Sequence, residues 1–358
     1  MLDIRIEKTT RPKQKPDMDN NPPAFGTCTT DHMFVMDYNT EKGWHDPRII
    51  PYGPFEAEPI TMSFHYAQTI FEGMKAYKSP EGNPLLFRPE MNAKRFQNSA
   101  KRVCIPEIPV EDYLQALHEF VKLEKDWIPT AHATSLYIRP VCFATQASVG
   151  VQVSEEYKFF IVACPVKNYR TEFSSEGTCW IETGYSRAAV GGTGADKCGC
   201  NYANTLLPQT LVEEKGYDQV AFADSVEHKW IGEISASNIM FVIDGVVVTP
   251  ELDGTILPGI TRDSVLTLCK KWGIPCAERK ISVDELKETL KNGKCTEAMS
   301  LGTAVVIEPI GLFGFEDVGK LVVGDGEVGP ISRRLYEGLQ AIQRKEAEDT
   351  EGWVVEVK

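Results

Sequence analysis

The chain has 358 residues, 42% of them hydrophobic and 25% charged, with a formal net charge of -13. That length exceeds what one core commonly organises, and the composition excludes a largely disordered chain, so two globular domains are expected. The acidic balance excludes nucleic acid and anionic membrane surfaces as natural partners, and no run approaches the ~20 apolar residues of a membrane span.

Taken in order, the chain starts "MLDIRIEKTTRPKQKPDMDNNPP", which lacks the apolar core of a secretion signal and reads as a loose, Pro-rich and Lys-rich tail on a cytoplasmic protein. "EDYLQALHEFVKLEKDW" places Leu114, Leu117 and Val121 on one helical face behind an acidic first turn and ahead of Pro129. "SLYIRPVCFA" and "YKFFIVACPV" are dense in β-branched and aromatic residues and predict strands. "RTEFSSEG", from Arg170 to Gly177, is polar and small and is the candidate linker.

"NIMFVIDGVVVTP" predicts a hairpin, because Asp244 and Gly245 suit the positive φ angles of a type I′ turn. "GITRDSVLTLCKKWGIP" predicts a helix stopped at Gly273 and Pro275, and the last helix carries Leu335, Leu339 and Ile342 on one face. Strand-like and helix-like runs alternate throughout, the signature of an α/β or α+β fold with mixed sheets. The expected division is a smaller N-terminal domain over 1–169, a linker and first strand over 170–184, and a larger C-terminal domain over 185–358.

Ten cysteines invite a metal or disulfide reading, but most stand singly in apolar runs, as Cys142, Cys164 and Cys269 do. No CxxC occurs, and the pair Cys198 and Cys200 has no histidine nearby, so no metal site is expected. That pair closes the stretch "GGTGADKCGC", whose lysine raises a choice of roles. A Walker loop needs Lys followed by Ser or Thr, but Asp196 precedes Lys197 and Cys198 follows it; the glycine spacing also fails the Rossmann fingerprint.

Three readings stay open: a solvated surface charge, a cation tuning neighbouring thiols in a cysteine-rich metal or redox protein, or a nucleophile. Lys197 sits among Gly, Ala and Cys, where partial burial would lower its proton affinity toward nucleophilic use. A desolvated lysine suits Schiff-base chemistry with a carbonyl, and pyridoxal phosphate is the protein-bound aldehyde that fits. Such a cofactor needs an acid for its ring nitrogen and a phosphate cup. Glu233 in "KWIGEISASN" and the loop "LPGITRDSV" ahead of a helix supply both types of group.

With those residues in view, the sequence resembles the branched-chain amino acid aminotransferases of pyridoxal phosphate fold type IV, which also includes D-amino acid aminotransferases and aminodeoxychorismate lyase. The motifs that carry the resemblance are "HYAQTIFEGMKAY", "LFRPEMNAKRFQNSAKR", "SLYIRPV", "GGTGADK" with "NYA", "ILPGITR" and "GTA" at Gly302 to Ala304. The resemblance implies a two-domain α/β (α+β) fold like that of D-amino acid aminotransferase, with the active site at the domain interface. It implies reversible amino transfer between L-leucine, L-isoleucine or L-valine and 2-oxoglutarate, by a ping-pong route.

The resemblance makes Lys197 the Schiff-base residue and proton carrier, and sets Glu233 at the ring nitrogen. It assigns the cofactor phosphate to Arg95, the backbone of Ile260 and Thr261, and Thr303, with Arg187 supporting the same region and Tyr202 at the ring's phenolic oxygen. Thr303 and Ala304 would hold the substrate α-carboxylate. Phe71, Tyr137 and Tyr169 would line the side-chain pocket, joined by Tyr66, Val149 and Val151 of a partner subunit, so a homodimer with shared sites is implied. Arg139, with the hydroxyls of Tyr66 and Tyr137, would meet the side-chain carboxylate of glutamate.

Three positions depart from the family pattern. Thr29 follows "FGTC" where phenylalanine is common, Ala236 stands where threonine is frequent, and Cys200 replaces the second glycine after the lysine.

Overall fold

The computed structural model describes residues 1–131, 133–168 and 173–358. Contacts within the chain divide it into two units. The first is Met1–Thr171 with Asp196–Cys200 and Ala341–Lys358; the second is Glu172–Ala195 with Asn201–Gln340.

In the first unit, the strands Thr134–Ala144 and Glu156–Lys167 pair antiparallel from Thr134 opposite Lys167 to Ala144 opposite Tyr157. Their β-branched and aromatic residues suit a pleated surface buried on one face. The helices Pro89–Arg102 and Val110–Leu123 complete the core with Phe34, Phe96, Tyr113, Leu117, Phe120, Val121 and Phe159. Each large apolar side chain so enclosed contributes about 1.5–3 kcal/mol. The helix Pro89–Arg102 starts with Pro89 in its first turn and ends on Lys101 and Arg102, the polarity its dipole favours.

The loose tail expected from the sequence is corrected here. Arg5 and Ile6 pair in parallel with Arg48 and Ile49, and the backbone of Leu2 exchanges hydrogen bonds with the Gln115 amide. The Thr9 N–H donates to His32 Nε2, and the Lys13 ammonium donates to Thr29 O, Thr29 Oγ1 and Thr30 O. This attachment runs through main-chain groups and single polar side chains, so composition carries no sign of it. It also gives Thr29 a use in this chain.

Two segments placed with the C-terminal domain by the sequence pack with the first unit instead. The chain end Val354–Glu356 pairs antiparallel with Pro84–Phe87. Around Lys197, the Phe71 N–H donates to Lys197 O, the Gly199 N–H donates to Thr69 O, and Ile70 and Cys198 form a β-bridge.

In the second unit the sheet is mixed, as expected: Gly177–Glu182 pairs in parallel with both Gln219–Ala223 and Val306–Phe315, while Asn238–Ile243 pairs antiparallel with Cys295–Gly302. The predicted hairpin joins Asn238–Ile243 to Val246–Thr249, with φ of 50° at Asp244 and 78° at Gly245. The helix Ile260–Lys271 ends just before Gly273, and the helix Val283–Lys291 is capped by Ser282 Oγ accepting from Glu285 N. Leu335, Leu339 and Ile342 of the helix Pro330–Gln343 are buried. Cys142, Cys164 and Cys269 are buried, and burial pushes all three thiols up.

Candidate active site

Lys197 lies on a short extended segment beside the strand Thr69–Phe71, and its N–H donates to Ser99 Oγ at 2.8 Å. Ser99 Oγ in turn donates to Arg95 O, one turn earlier on the helix Pro89–Arg102. The Lys197 amine stands 4.9 Å from the centre of the Phe71 ring. Burial pulls its proton affinity down to about 8; the Arg95 charge adds to that, while Glu72 and Tyr137 oppose it.

The helix Pro89–Arg102 presents Asn92, Arg95 and Ser99 at spacings of three and four, a single helical face, and all three are buried. Arg95 meets Glu72 as a fork, with Nε to Oε1 at 2.7 Å and Nη2 to Oε2 at 2.8 Å. Asn92 Nδ2 and the Gly73 N–H also donate to Glu72 Oε2, at 2.8 and 3.1 Å. Burial raises the Glu72 carboxyl, but the attraction and hydrogen bonds of Arg95, with the Lys197 charge, outweigh it and hold the group low.

Tyr137 and Arg139 share one face of the strand Thr134–Ala144, being two residues apart. Arg139 Nη2 donates to the Tyr137 hydroxyl at 3.1 Å, and its guanidinium stands 4.6 Å from the Phe71 ring centre. Arg139 Nε is buried without a partner among the described residues. Tyr137 also meets the edge of the Phe25 ring at 5.1 Å between centres. Its hydroxyl lies where a Cβ on Gly73 would come within 2.1 Å, so glycine is required there. Tyr66, Val149 and Val151 are exposed, and the Tyr66 hydroxyl donates to Val149 O. Tyr169 lies outside the described residues.

In the second unit Glu233 is buried on the strand Ile231–Ile234. Its Oε1 accepts from Leu257 N at 2.9 Å and lies 2.9 Å from Arg187 Nη1; its Oε2 accepts from Asn238 Nδ2 at 2.9 Å. Arg187, which the resemblance sets in support of the phosphate region, pairs with Glu233 and donates to Thr255 O; a buried guanidinium needs an anion where water is excluded. Its Nε is buried without a partner among the described residues. A cavity of about 240 Å³ has Arg187 and Glu233 in its wall, with Phe222, Trp230 and Thr255.

The same unit holds the other residues singled out. Ile260 and Thr261 open the helix Ile260–Lys271, whose first N–H groups have no partner within the helix. Gly259 ahead of them admits the Asn238 amide, whose Oδ1 would lie 1.9 Å from a Cβ there. Thr303 and Ala304 form the turn between Cys295–Gly302 and Val306–Phe315. Tyr202 is half-buried on Cys200–Ala203.

Four partners escaped the sequence reading: Glu72, Asn92, Ser99 and Asn238. All lie within or beside quoted motifs, and the spacing of Asn92, Arg95 and Ser99 was the available signal. Lys75 escaped as well. It is paired with Tyr137 in the sheet register, its amine donates to Asn168 Oδ1 at 3.2 Å, and burial, with the Arg344 charge, lowers it to about 7. The structure gives no account of Ala236. Cys200 is exposed and its thiol hydrogen-bonds with that of Cys198, whose own thiol is pushed up by this contact and by burial.

Each unit holds groups of the kinds a pyridine-type cofactor with a phosphate tail needs: a desolvated amine at Lys197 and a buried guanidinium at Arg95 in the first, a buried acid paired with an arginine at Glu233 and a helix start at Ile260 in the second.

Comparison with known proteins points the same way. The family model described as amino-transferase class IV matches residues 69–312. A Bacillus subtilis protein named branched-chain-amino-acid aminotransferase 2 is 47% identical over 99% of this chain and 97% of its own length. The crystal structure of the Escherichia coli branched-chain amino acid aminotransferase matches with a TM-score of 0.77 at 26% identity, covering 92% of this chain and 99% of that one. The crystal structure of a T.th. branched-chain amino acid aminotransferase with pyridoxamine 5′-phosphate matches with a TM-score of 0.76 at 25% identity, over 91% and 98% of the two chains.

Proposed function

Because the chain belongs to the class IV aminotransferases, we propose that it is a pyridoxal phosphate-dependent branched-chain amino acid transaminase. It exchanges amino groups between L-leucine, L-isoleucine or L-valine and 2-oxoglutarate. The observation that carries the reading is the Lys197 amine, desolvated on a half-buried residue over the Phe71 ring and pulled to about 8 within reach of the Arg95 and Glu72 charges.

When bound, pyridoxal phosphate supplies an electron sink for the electron pair left when an amino acid loses its α-proton. Lys197 is the residue that would hold the cofactor and, once released, carry that proton on Nζ; an affinity near 8 lets the same amine act as base and acid close to neutral pH. Glu233 would keep the ring nitrogen protonated. Its carboxylate is fixed by Arg187, Asn238 and the Leu257 N–H, so it needs no reorganisation to do so. Arg95, Thr303 and the N–H groups at Ile260 and Thr261 would hold the phosphate, and Tyr202 the phenolic oxygen.

Phe71, Tyr137 and Tyr169 would line the side-chain pocket, with Thr303 and Ala304 on the α-carboxylate. Arg139 would read the second carboxylate of glutamate, a role supported by its bond to Tyr137 and its unpartnered Nε. The exposure of Tyr66, Val149 and Val151 supports a homodimer in which these residues complete the partner's site. The enzyme would work on small amino and 2-oxo acids in the cytoplasm.

A half-reaction screen with L-Leu, L-Ile, L-Val, L-Glu and D-Ala tests the reading by following the bound cofactor's absorbance. Conversion with the L-substrates is expected. Fast conversion with D-Ala and none with L-Leu would favour a D-amino acid aminotransferase and sink the substrate assignment.

A further inference from the structure

No role in the chemistry has been given to Glu72, although its partner Arg95 and its neighbour Phe71 both have one. Its side chain is 0% exposed. A carboxylate in that position is costly unless every oxygen is satisfied. Four donors meet it: Arg95 Nε and Nη2, Asn92 Nδ2 and the Gly73 N–H. The neighbouring residue, Phe71, donates its N–H to Lys197 O and places its ring under the Lys197 amine. One dipeptide therefore grips the lysine through residue 71 and the phosphate-side arginine through residue 72.

The charged and titratable groups acting on the Lys197 amine are Arg95 from the helix Pro89–Arg102, Tyr137 and Arg139 from the strand Thr134–Ala144, and Glu72. Those acting on Glu72 are Arg95 and Lys197, and Glu72 acts in turn on Tyr113 from the helix Val110–Leu123. Two guanidinium groups thus act on a half-buried, desolvated lysine, and Glu72 is the carboxylate set against them.

We propose that Glu72 is a positioning residue for amino transfer: it fixes the plane of the Arg95 guanidinium and supplies the counter-charge that keeps the Lys197 amine able to hold a proton. This rests on the reading of Lys197 as the nucleophile. A buried amide could fasten Arg95 through one hydrogen bond, but only a carboxylate both forks the guanidinium and opposes its field at the lysine.

The test is the pH dependence of Lys197 acylation in the full-length chain stripped of bound cofactor, read by mass spectrometry against the other lysines. Glu72→Gln is expected to move the midpoint at Lys197 to the acid side by tenfold or more in proton concentration, because Arg95 then acts unopposed. Glu72→Asp restores the charge and recovers most of that shift. The double variant Glu72→Gln, Arg95→Gln removes both neighbours. Because Arg95 acts on Lys197 more strongly than Glu72 does, its midpoint should pass to the alkaline side of wild type.

The double variant also carries the test if the single one fails to fold, since it strands no charge. An unmoved Lys197 midpoint in folded Glu72→Gln, or an acid shift in the double variant, overturns the proposal. A wild-type Lys197 that titrates like the surface lysines would instead remove the reading of Lys197 on which it rests.

Discussion

Each unit buries one glutamate against one arginine, and the two pairs are built differently. In the first, Arg95 grips Glu72 through two N–H groups of one guanidinium, with Asn92 and a backbone N–H added. In the second, Glu233 takes single contacts from Arg187, Asn238 and the Leu257 N–H, so three separate elements hold it. The fork orients a cation, whereas the three-point cradle orients an anion. That difference matches the tasks proposed for them, a phosphate-facing guanidinium and a carboxylate facing a ring nitrogen. The first pair also has a titrating lysine beside it.

The sharpest way to break the comparison is to remove that lysine. Lys197→Ala is expected to lower leucine-to-2-oxoglutarate transfer by about 10⁴-fold or more, in a steady-state assay, with folding retained by circular dichroism. Next in size, Arg187→Met leaves the Glu233 charge buried and short of one partner. A loss of about 3–5 kcal/mol in urea unfolding is expected, and a loss below about 1 kcal/mol would mean the cradle does not need its arginine.

Gly73→Ala sharpens the first unit. Its Cβ would fall 2.1 Å from the Tyr137 hydroxyl, displacing that ring and its bond to Arg139 at a cost of about 1–3 kcal/mol. The kcat/KM for glutamate should fall more than that for leucine if, as proposed, the bond between Arg139 and the Tyr137 hydroxyl serves the second carboxylate that only glutamate carries.

The most gradual effect concerns pH. Lys75 is lowered from 10.5 to about 7, chiefly by burial, so between those values the unfolded chain holds a proton that the folded chain lacks. Stability should therefore rise with pH across that window, by up to about 1.4 kcal/mol per unit. Lys75→Met should flatten the rise in urea midpoints between pH 7 and 10. Glu72 works at the other end: its carboxyl is held below the ordinary 4.5, so the stability it contributes is present above that value and is lost as the pH falls through the lowered one.

Much of this was legible in the sequence because it is local. The hairpin at Asp244 and Gly245, the helix behind "LPGI" and the unusual setting of Lys197 all depend on neighbours within a few residues. The partner of Arg95 was not legible, since Glu72 lies 23 positions away and a sequence shows no distance in space. Ser99 and Lys197 are 98 positions apart, and for the same reason the lysine could not be read as packing with the first unit. Arg187 was set near the phosphate by the resemblance alone, and its pairing with Glu233, 46 positions away, was not legible for the same reason.

The attachment of the N-terminal segment has one more consequence. The strand Gly43–Pro51 would otherwise end its sheet with a row of unpaired amides, an invitation to join another chain edge to edge. Arg5 and Ile6 cover part of that row, and Pro47 removes a donor from it, so the first residues act as a guard against aggregation.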